Sequence, residues 1–176
     1  MKKILKICLA CFLAAGLAGC GSSEEKAAKS VVSDYLDYLQ DRNFTEAAKM
    51  TGDTYDTSHD GDEIYKRKVE LMLDRLDYEI SDVSVNGNDG VITVELSNIH
   101  YTNFLESSKI KLEADTENFS ELSNEDKELK LIELMEAELP NADVVTQSVS
   151  AYVYKDGDTW KLSKNNATFF KAVNGE

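Results

Sequence analysis

The sequence is poor in cysteine, proline, histidine and basic residues. Its 176 residues include 3 Cys, 1 Pro and 2 His, with 19 Lys and Arg against 33 Asp and Glu, and its formal charge is -14. So acidic a protein repels the phosphates of nucleic acids, and no nucleic-acid partner is expected. Hydrophobic residues make up 42% of the chain, which is enough to form a core and excludes full disorder.

Motifs for catalysis and metal binding are also missing. The sequence has no Walker loop, dinucleotide-binding glycine pattern, G-x-S-x-G elbow or H-E-x-x-H pair. His59 and His100 are the only imidazoles, and neither has a second His at the spacing of a metal site. We therefore expect no cofactor and no metal. A non-enzymatic role is favoured, although the sequence does not decide it.

Long hydrophobic runs are absent except near the N-terminus. Residues 7–18 form an uncharged stretch that is shorter than the roughly 20 apolar residues of a membrane-spanning helix. Lys2, Lys3 and Lys6 precede this stretch, and that order is typical of a secretory signal peptide.

The stretch ends in L-A-G-C at residues 17–20, which resembles the lipobox of bacterial lipoproteins. The resemblance implies that residues 1–19 are removed and that Cys20 receives a diacylglyceryl thioether. Such a lipid would hold the chain on the outer, extracytoplasmic face of the cell membrane. The alternative is an ordinary signal peptide followed by a chance cysteine. Since Cys8 and Cys11 lie in the removed segment, the mature chain would have no free thiol and no disulfide.

The mature chain is predicted to be a short tether, residues 20–26, followed by one domain, residues 27–176. Apolar spacing and capping signals predict helices over residues 27–40, 43–50, 62–77, 102–115 and 124–139, and a closing helical turn over 166–173. Alternating apolar residues predict strands over residues 78–85, 91–97, 143–155 and about 159–162.

Some of these elements depend on particular residues. Asn43 and Ser123 each precede an acidic residue by three positions, which is typical of a helix N-cap. Residues 102–115 fit a helix capped by Thr102, although residues 109–112 also alternate like a strand; the helix is preferred. On the helix over 62–77, Tyr65 is expected to share a buried face with its apolar neighbours.

The predicted fold class is α+β. A curved antiparallel sheet of about four strands packs against N-terminal helices, and a helical insertion separates the two hairpins. The lipobox, F-T-E-A-A at residues 44–48 and D-G-D-T-W-K-L at residues 156–162 together resemble small lipoproteins of Gram-positive bacteria that have a nuclear-transport-factor-2-like, or cystatin-like, cone domain. The resemblance implies a curved sheet wrapped around a long helix. Relatives in that fold include enzymes and binding modules, so the fold does not choose between them.

Two groups of residues are candidates for ligand contact. His100 and Tyr101 follow a predicted strand near the expected mouth of the cone. Tyr152 and Tyr154 share one face of the long strand, where they form either an exposed aromatic patch or ordinary half-buried packing. We take these four residues as the candidate ligand-binding set, with no catalytic residue among them.

The loop from Asp56 to Asp62 partly matches a calcium-binding loop. The ligand expected from position 12 is a glutamate, but Arg67 stands there instead. The preferred interpretation is an acidic turn that caps the next helix, with His59 as a solvated loop residue. A weak divalent-ion site at Asp56, His59, Asp60 and Asp62 is the alternative.

The function predicted from these features is a membrane-anchored, non-catalytic binding or interaction module of the cell envelope. Its partner would be an envelope protein or a cell-wall component, and the lipid on Cys20 would attach it to the membrane. One alternative is a small-ligand pocket, or an isomerase-like or hydrolase-like enzyme, with its site inside the cone. A homodimer formed sheet to sheet is a third interpretation.

Overall fold

A computed structural model describes residues 22–176, so the predicted signal peptide and Cys20 lie outside the described residues. The helices are α1 (Ser23–Gln40), α2 (Phe44–Met50), α3 (Glu63–Leu73), α4 (Tyr101–Asp115), α5 (Asn124–Glu138) and α6 (Ala167–Val173). The strands are β1 (Asp77–Asn86), β2 (Asp89–Ile99), β3 (Val144–Asp156) and β4 (Thr159–Leu162). The predicted α+β fold is confirmed, with α4 and α5 inserted between the two hairpins.

The four strands form one antiparallel sheet in the order β1-β2-β3-β4. Gly87 and Gly157 make the two tight turns, and each has φ of 64°, a left-handed conformation that glycine adopts without strain. The register shifts between Ile80 and Asp82, which places a bulge in the edge strand β1.

Helix α1 lies across one face of this sheet and contacts all four strands. Its buried residues recur at helical spacing and are Ala28, Val31, Val32, Leu36 and Leu39. The residues that pack opposite them with little or no exposure include Ile92, Val94, Leu96, Ala151, Val153, Leu162 and Phe169. The space between α1 and the sheet is therefore occupied by the protein's own side chains. The residues between these positions along each strand point to the opposite face of the sheet.

A second, smaller cluster lies among the helices. Leu71 of α3 packs with Ile132 and Met135 of α5, and each is 3% exposed or less. Arg67 of α3 donates to both carboxylate oxygens of Glu136 on α5 at 2.7 Å. The insertion therefore attaches to the rest of the domain mainly through α3.

One buried amide joins three elements where the two clusters meet. The Nδ2 atom of Asn98, on β2, donates to the carbonyl of Met72 at 3.0 Å and to that of Val173 at 2.8 Å. Asn98 is 3% exposed, so these bonds replace those that its amide would make with water. Gly175 lies close to this amide and has no room for a side chain. The Cβ of any residue replacing it would lie 2.1 Å from the carbonyl oxygen of Ile99.

The predicted tether is wrong for residues 23–26, which are helical. The hydroxyl of Ser22 accepts from the backbone N–H of Glu25 at 3.1 Å, and the Glu25 carboxylate accepts from that of Ser22 at 2.6 Å. This capping box starts α1 four residues before the predicted first residue, 27. Glu24 in the same turn bonds Trp160 and Lys155, which fixes the turn to the sheet.

Other boundaries also differ from the prediction. His100, not Thr102, is the N-cap of α4. Helix α3 ends at Leu73, before the predicted residue 77, and Tyr65 is 41% exposed because its face of the helix borders a cavity. The caps predicted at Asn43 and Ser123 are confirmed. Within residues 22–176, no helix has both the length and the apolar character needed to cross a bilayer.

Candidate functional site

The structure separates the four predicted ligand-binding residues into two pairs. His100 follows β2 where Ile99 pairs with Val144 of β3, whereas Tyr152 pairs with Val91 near the other end of β2. The two pairings are eight residue steps apart along β2, about 27 Å at roughly 3.4 Å per residue. The four residues therefore do not form one site.

Tyr101 belongs to the packing between α4 and the second cluster. It is half-buried against that cluster, and its backbone N–H donates to the Gly175 carbonyl at 2.9 Å. Burial raises the pKa of the Tyr101 hydroxyl. These contacts give Tyr101 a structural role, since it joins α4 to the second cluster and to the C-terminal residues.

Tyr152 and Tyr154 lie on the side of β3 opposite the core. Tyr152 is 50% exposed and Tyr154 is 37% exposed, while Ala151 and Val153 between and beside them are buried. The geometry corresponds to an exposed aromatic patch rather than to packing beneath the helices.

In the acidic loop, Asp56 caps a short 3₁₀ turn, Thr57–His59, and Asp62 caps α3. The Asp56 carboxylate accepts from the backbone N–H of Ser58 at 2.9 Å, and this bond lowers the pKa of Asp56. The Asp62 carboxylate accepts from the N–H of Tyr65 at 3.0 Å and begins α3. Within residues 22–176, no three His, Cys, Asp or Glu side chains are gathered at metal-binding distance.

A pocket of about 360 Å³ lies among α1, α2, α3 and the loop over residues 51–62. Its aliphatic and thioether lining residues are Leu39, Val69, Met72 and Leu73. Its aromatic and imidazole lining residues are Tyr35, Phe44, Tyr55, His59 and Tyr65. Its polar lining residues are Arg42, Asp60, Lys66, Glu70 and Asn174. We call this site the aromatic pocket.

Two ring stacks attach the loop to the helices that border the aromatic pocket. The rings of Phe44 and Tyr55 are 5.9 Å apart with an angle of 20° between their planes. His59 stacks more closely on Tyr65, at 4.3 Å and 21°. His59 is an exposed loop residue, as the sequence predicts, and one face of its ring is covered by Tyr65.

Tyr35 adds a hydroxyl group to the lining of the aromatic pocket. Its ring packs 6.0 Å from those of both Phe169 and Phe170. Burial raises the pKa of Tyr35 to about 12, so its phenol stays neutral and keeps its proton at neutral pH. A neutral phenol can both donate to and accept from a bound molecule.

Two charged side chains at the aromatic pocket, those of Arg42 and Asp60, bond neighbouring groups of the protein. The Arg42 guanidinium donates to the carbonyls of Leu39 at 2.9 Å and Gln40 at 3.0 Å, which closes the C-terminal end of α1. The pKa of Tyr55 is raised by partial loss of solvent and by its hydrogen bond to the Asp60 carboxylate. Arg42 is thus structural, and Tyr55 is held in its neutral form.

Sequence reasoning did not find the aromatic pocket. Its residues come from α1, α2, the irregular loop, α3 and the C-terminal end of α6, and no spacing along the chain connects them. The one available signal was aromatic residues in and beside an aperiodic loop, such as Tyr55 and Tyr65. Loops with such residues are frequent sites of binding.

Comparison with known proteins gives little further information. No protein-family model matches the sequence, and no curated protein matches it significantly. Among solved structures, the chain is similar to a candidate lipoprotein, YcdA, from Bacillus subtilis, with 12% sequence identity and a TM-score of 0.45. The match covers 89% of this chain and 50% of the other, so the chain spans about half the length of that protein.

Proposed function

We propose that this protein is a lipid-anchored lipoprotein of the extracytoplasmic face that binds a small amphipathic molecule in the aromatic pocket, without catalysis. The aromatic pocket is the observation that carries the proposal. Its volume of about 360 Å³ falls in the size range of small-molecule sites. Such sites combine a mainly apolar and aromatic lining with a few polar groups, as this one does.

The chemistry of the lining supports a ligand with an aromatic or other apolar body. Phe44, Tyr55 and Tyr65 offer ring faces and edges, which favour offset stacking with another ring. Lys66 and Glu70 at the border, with the Tyr35 hydroxyl, provide charged and neutral partners for a polar group. A ligand that is apolar at one end and polar at the other matches both parts of the lining.

A site inside the cone has less support. The volume between α1 and the sheet is filled by side chains such as Leu36, Ile92 and Phe169, each with no exposure. The assignment to a cone fold of the nuclear-transport-factor-2-like kind remains part of the proposal. It is supported by the position of α1, which contacts all four strands.

The site of binding is tested with a dye and two matched tyrosine variants. Residues 21–176 are produced without the leader, checked for native far-ultraviolet circular dichroism, and titrated with anilinonaphthalene sulfonate, which fluoresces in apolar surroundings. We expect Y65A to weaken dye binding by about threefold to tenfold, since an aromatic contact contributes roughly 0.5–1.5 kcal/mol. The control is Y154A, because Tyr154 has nearly the same exposure but lies on the open sheet face. Equal effects of the two variants would contradict the proposal.

Membrane attachment is tested at Cys20. In a bacterial host that lipidates such proteins, the wild-type chain is expected in the membrane fraction, and the C20A variant is expected to lose the lipid. Mass spectrometry of the N-terminal peptide should find diacylglycerol on Cys20 in the wild type only. An unmodified Cys20 in the membrane-bound protein would contradict lipid anchoring.

An envelope protein, a cell-wall component or a second copy of this chain remains a further proposed partner. The exposed Tyr152 and Tyr154 on the uncovered sheet face support such contact, because aromatic residues are enriched at protein interfaces. Sedimentation at high concentration tests the homodimer directly. A monomer at all concentrations would exclude it.

A further inference from the structure

A second cavity, of about 520 Å³, lies between α4, the turn that follows α5 and the start of β3. It is separate from the aromatic pocket and shares no lining residue with it. Most of its lining residues are polar, although apolar atoms supply the larger part of its surface, and the residues used below are His100, Asn103, Lys111, Glu138, Asn141 and Asp143. We call this site the polar groove.

The sheet brings the two ends of the insertion together at the polar groove. Because Ile99 pairs with Val144, the residues that leave β2 and enter β3 are neighbours. The backbone N–H of His100 donates to the carbonyl of Asp143 at 3.2 Å, which fixes both residues at one end of the groove. On α4, Asn103 and Lys111 both line the groove and are eight residues apart, a little more than two helical turns.

His100 presents a donor at this site. Its Nδ1 atom accepts from the backbone N–H of Asn103 at 3.4 Å as the cap of α4. In the neutral ring the proton is then on Nε2, which remains able to donate. The amides of Asn103 and Asn141 can each donate and accept, and the Asp143 carboxylate accepts.

The charges of the polar groove do not favour an anionic ligand. Lys111 forms an ion pair with Glu138, so this cation and this anion largely cancel. Asp143 adds a negative charge, and the whole chain carries a formal charge of -14. An anionic ligand would therefore be repelled.

We infer that the polar groove binds a neutral carbohydrate. Adjacent sugar hydroxyls both donate and accept, and they match the mixed donors and acceptors of His100, Asn103, Asn141 and Asp143. Phe104 also lines the groove and offers an apolar surface for the C–H groups of a sugar ring. Asn103, Asn141 and Asp143 are exposed to water in the free protein, so a ligand that displaced this water without replacing its hydrogen bonds would bind less tightly. The inference concerns another cavity and another ligand class, so it does not depend on the proposed function of the aromatic pocket.

The test is a titration of the mature lipidated chain in a zwitterionic detergent that has no sugar head group. The probes are the neutral oligosaccharides N,N′-diacetylchitobiose, cellobiose and maltose. Their binding is measured by calorimetry and by changes in the amide signals of ¹⁵N-labelled protein. We expect at least one probe to bind and to shift the signals of Asn103 and Asn141. The variant N141A should weaken that binding by about threefold to tenfold, which corresponds to the loss of one or two hydrogen bonds.

The matched control is N165A, since Asn165 is also exposed but lies at the other end of the sheet, next to Asn166, which bonds the carbonyl of Tyr152. Equal weakening by N141A and N165A would overturn the inference, as would the absence of binding by all three probes. Binding that shifts signals of Tyr55 or Tyr65 instead would place the sugar in the aromatic pocket and also overturn it. Dye that stays bound during the sugar titration would separate the two sites.

Discussion

The sheet half and the helical half of this domain are built differently. Between α1 and the sheet, many side chains from several elements have no exposure, and Leu36 and Phe169 are among them. Among α3, α4 and α5, only Leu71, Ile132 and Met135 form the buried cluster. The polar groove borders the helical half, whereas the aromatic pocket lies at the margin of the larger core, with Leu39 and Leu73 in its lining. Each half of the domain therefore has room for a ligand at its margin.

The difference has a physical cause in the two kinds of surface. Alternation along β2 and β3 gives the sheet one continuous apolar face, and the long helix α1 covers it. Helix α5 instead carries charged residues around most of its surface and buries only Ile132 and Met135. It is held to α3 partly by ion pairs, and exposed ion pairs contribute little to stability. The helical half is therefore expected to open before the sheet half.

The largest effect is expected from L36A, which removes a fully buried side chain from between α1 and the sheet. We expect the free energy of unfolding to fall by about 3–5 kcal/mol, since a Leu to Ala change there loses buried area and leaves a cavity. Denaturant unfolding followed by circular dichroism measures this. L36M keeps most of the volume and serves as the control. Equal stability of L36A and L36M would show that this layer is less tightly packed than described.

A smaller and more local effect is expected from M135A in the helical cluster. The expected loss is about 2–3 kcal/mol, and it should appear as faster amide hydrogen exchange in α4 and α5. Amides of β2 and β3 should change much less. If exchange increased equally in the sheet, the two halves would behave as one cooperative unit, and the comparison would fail.

The third prediction concerns Glu24, which fixes the first turn of α1 to the sheet half. Lys155 and Trp160 both hydrogen-bond its carboxylate, and these contacts, with Lys155 the larger, lower its pKa. Their contribution to stability is present above the ordinary glutamate pKa of 4.5 and is lost as the pH falls through the lowered folded-state value. Trp160 is the only tryptophan, so its fluorescence should report this protonation.

The measurement is a fluorescence titration of folded protein between neutral and acidic pH. The wild type should show a transition below pH 4.5, and E24Q should remove it. D82N is the control, because Asp82 lies on β1, away from Trp160 in the sheet order. A transition that persists in E24Q would mean that another group changes the fluorescence of Trp160.

The smallest effect is expected from the ion pair between Arg67 and Glu136, which joins α3 to α5. The hydrogen bond from Arg67 lowers the pKa of Glu136, so the pair stabilises the fold above the ordinary glutamate pKa and stops doing so in acid. R67M should lower stability only slightly at neutral pH, since both side chains are partly exposed. The difference between R67M and the wild type should vanish in acid, as measured by thermal unfolding. If the stability difference persisted in acid, it would come from packing of the aliphatic part of the Arg67 side chain and not from the ion pair.

The sequence by itself determined most of the secondary structure, because local signals settle it. Asn43 and Ser123 are helix caps in both the sequence and the structure, since a cap depends on residues within three positions. The alternation along β2 and β3 identifies the buried face of the sheet for the same reason. The start of α1 was missed, although Ser22 and Glu25 are a capping-box pair, because their polar composition resembles a tether.

Only the tertiary structure decided where ligands can bind. Tyr35, Tyr55 and Tyr65 lie on different elements, and folding alone brings them to one pocket. His100 and Tyr152 look equally suitable in the sequence, yet the register of β2 with β3 places them at opposite ends of the sheet. Local spacing determines which face of its own helix or strand a residue occupies. A cavity instead depends on how separate elements pack, and this packing is set by contacts between residues that are far apart in the sequence.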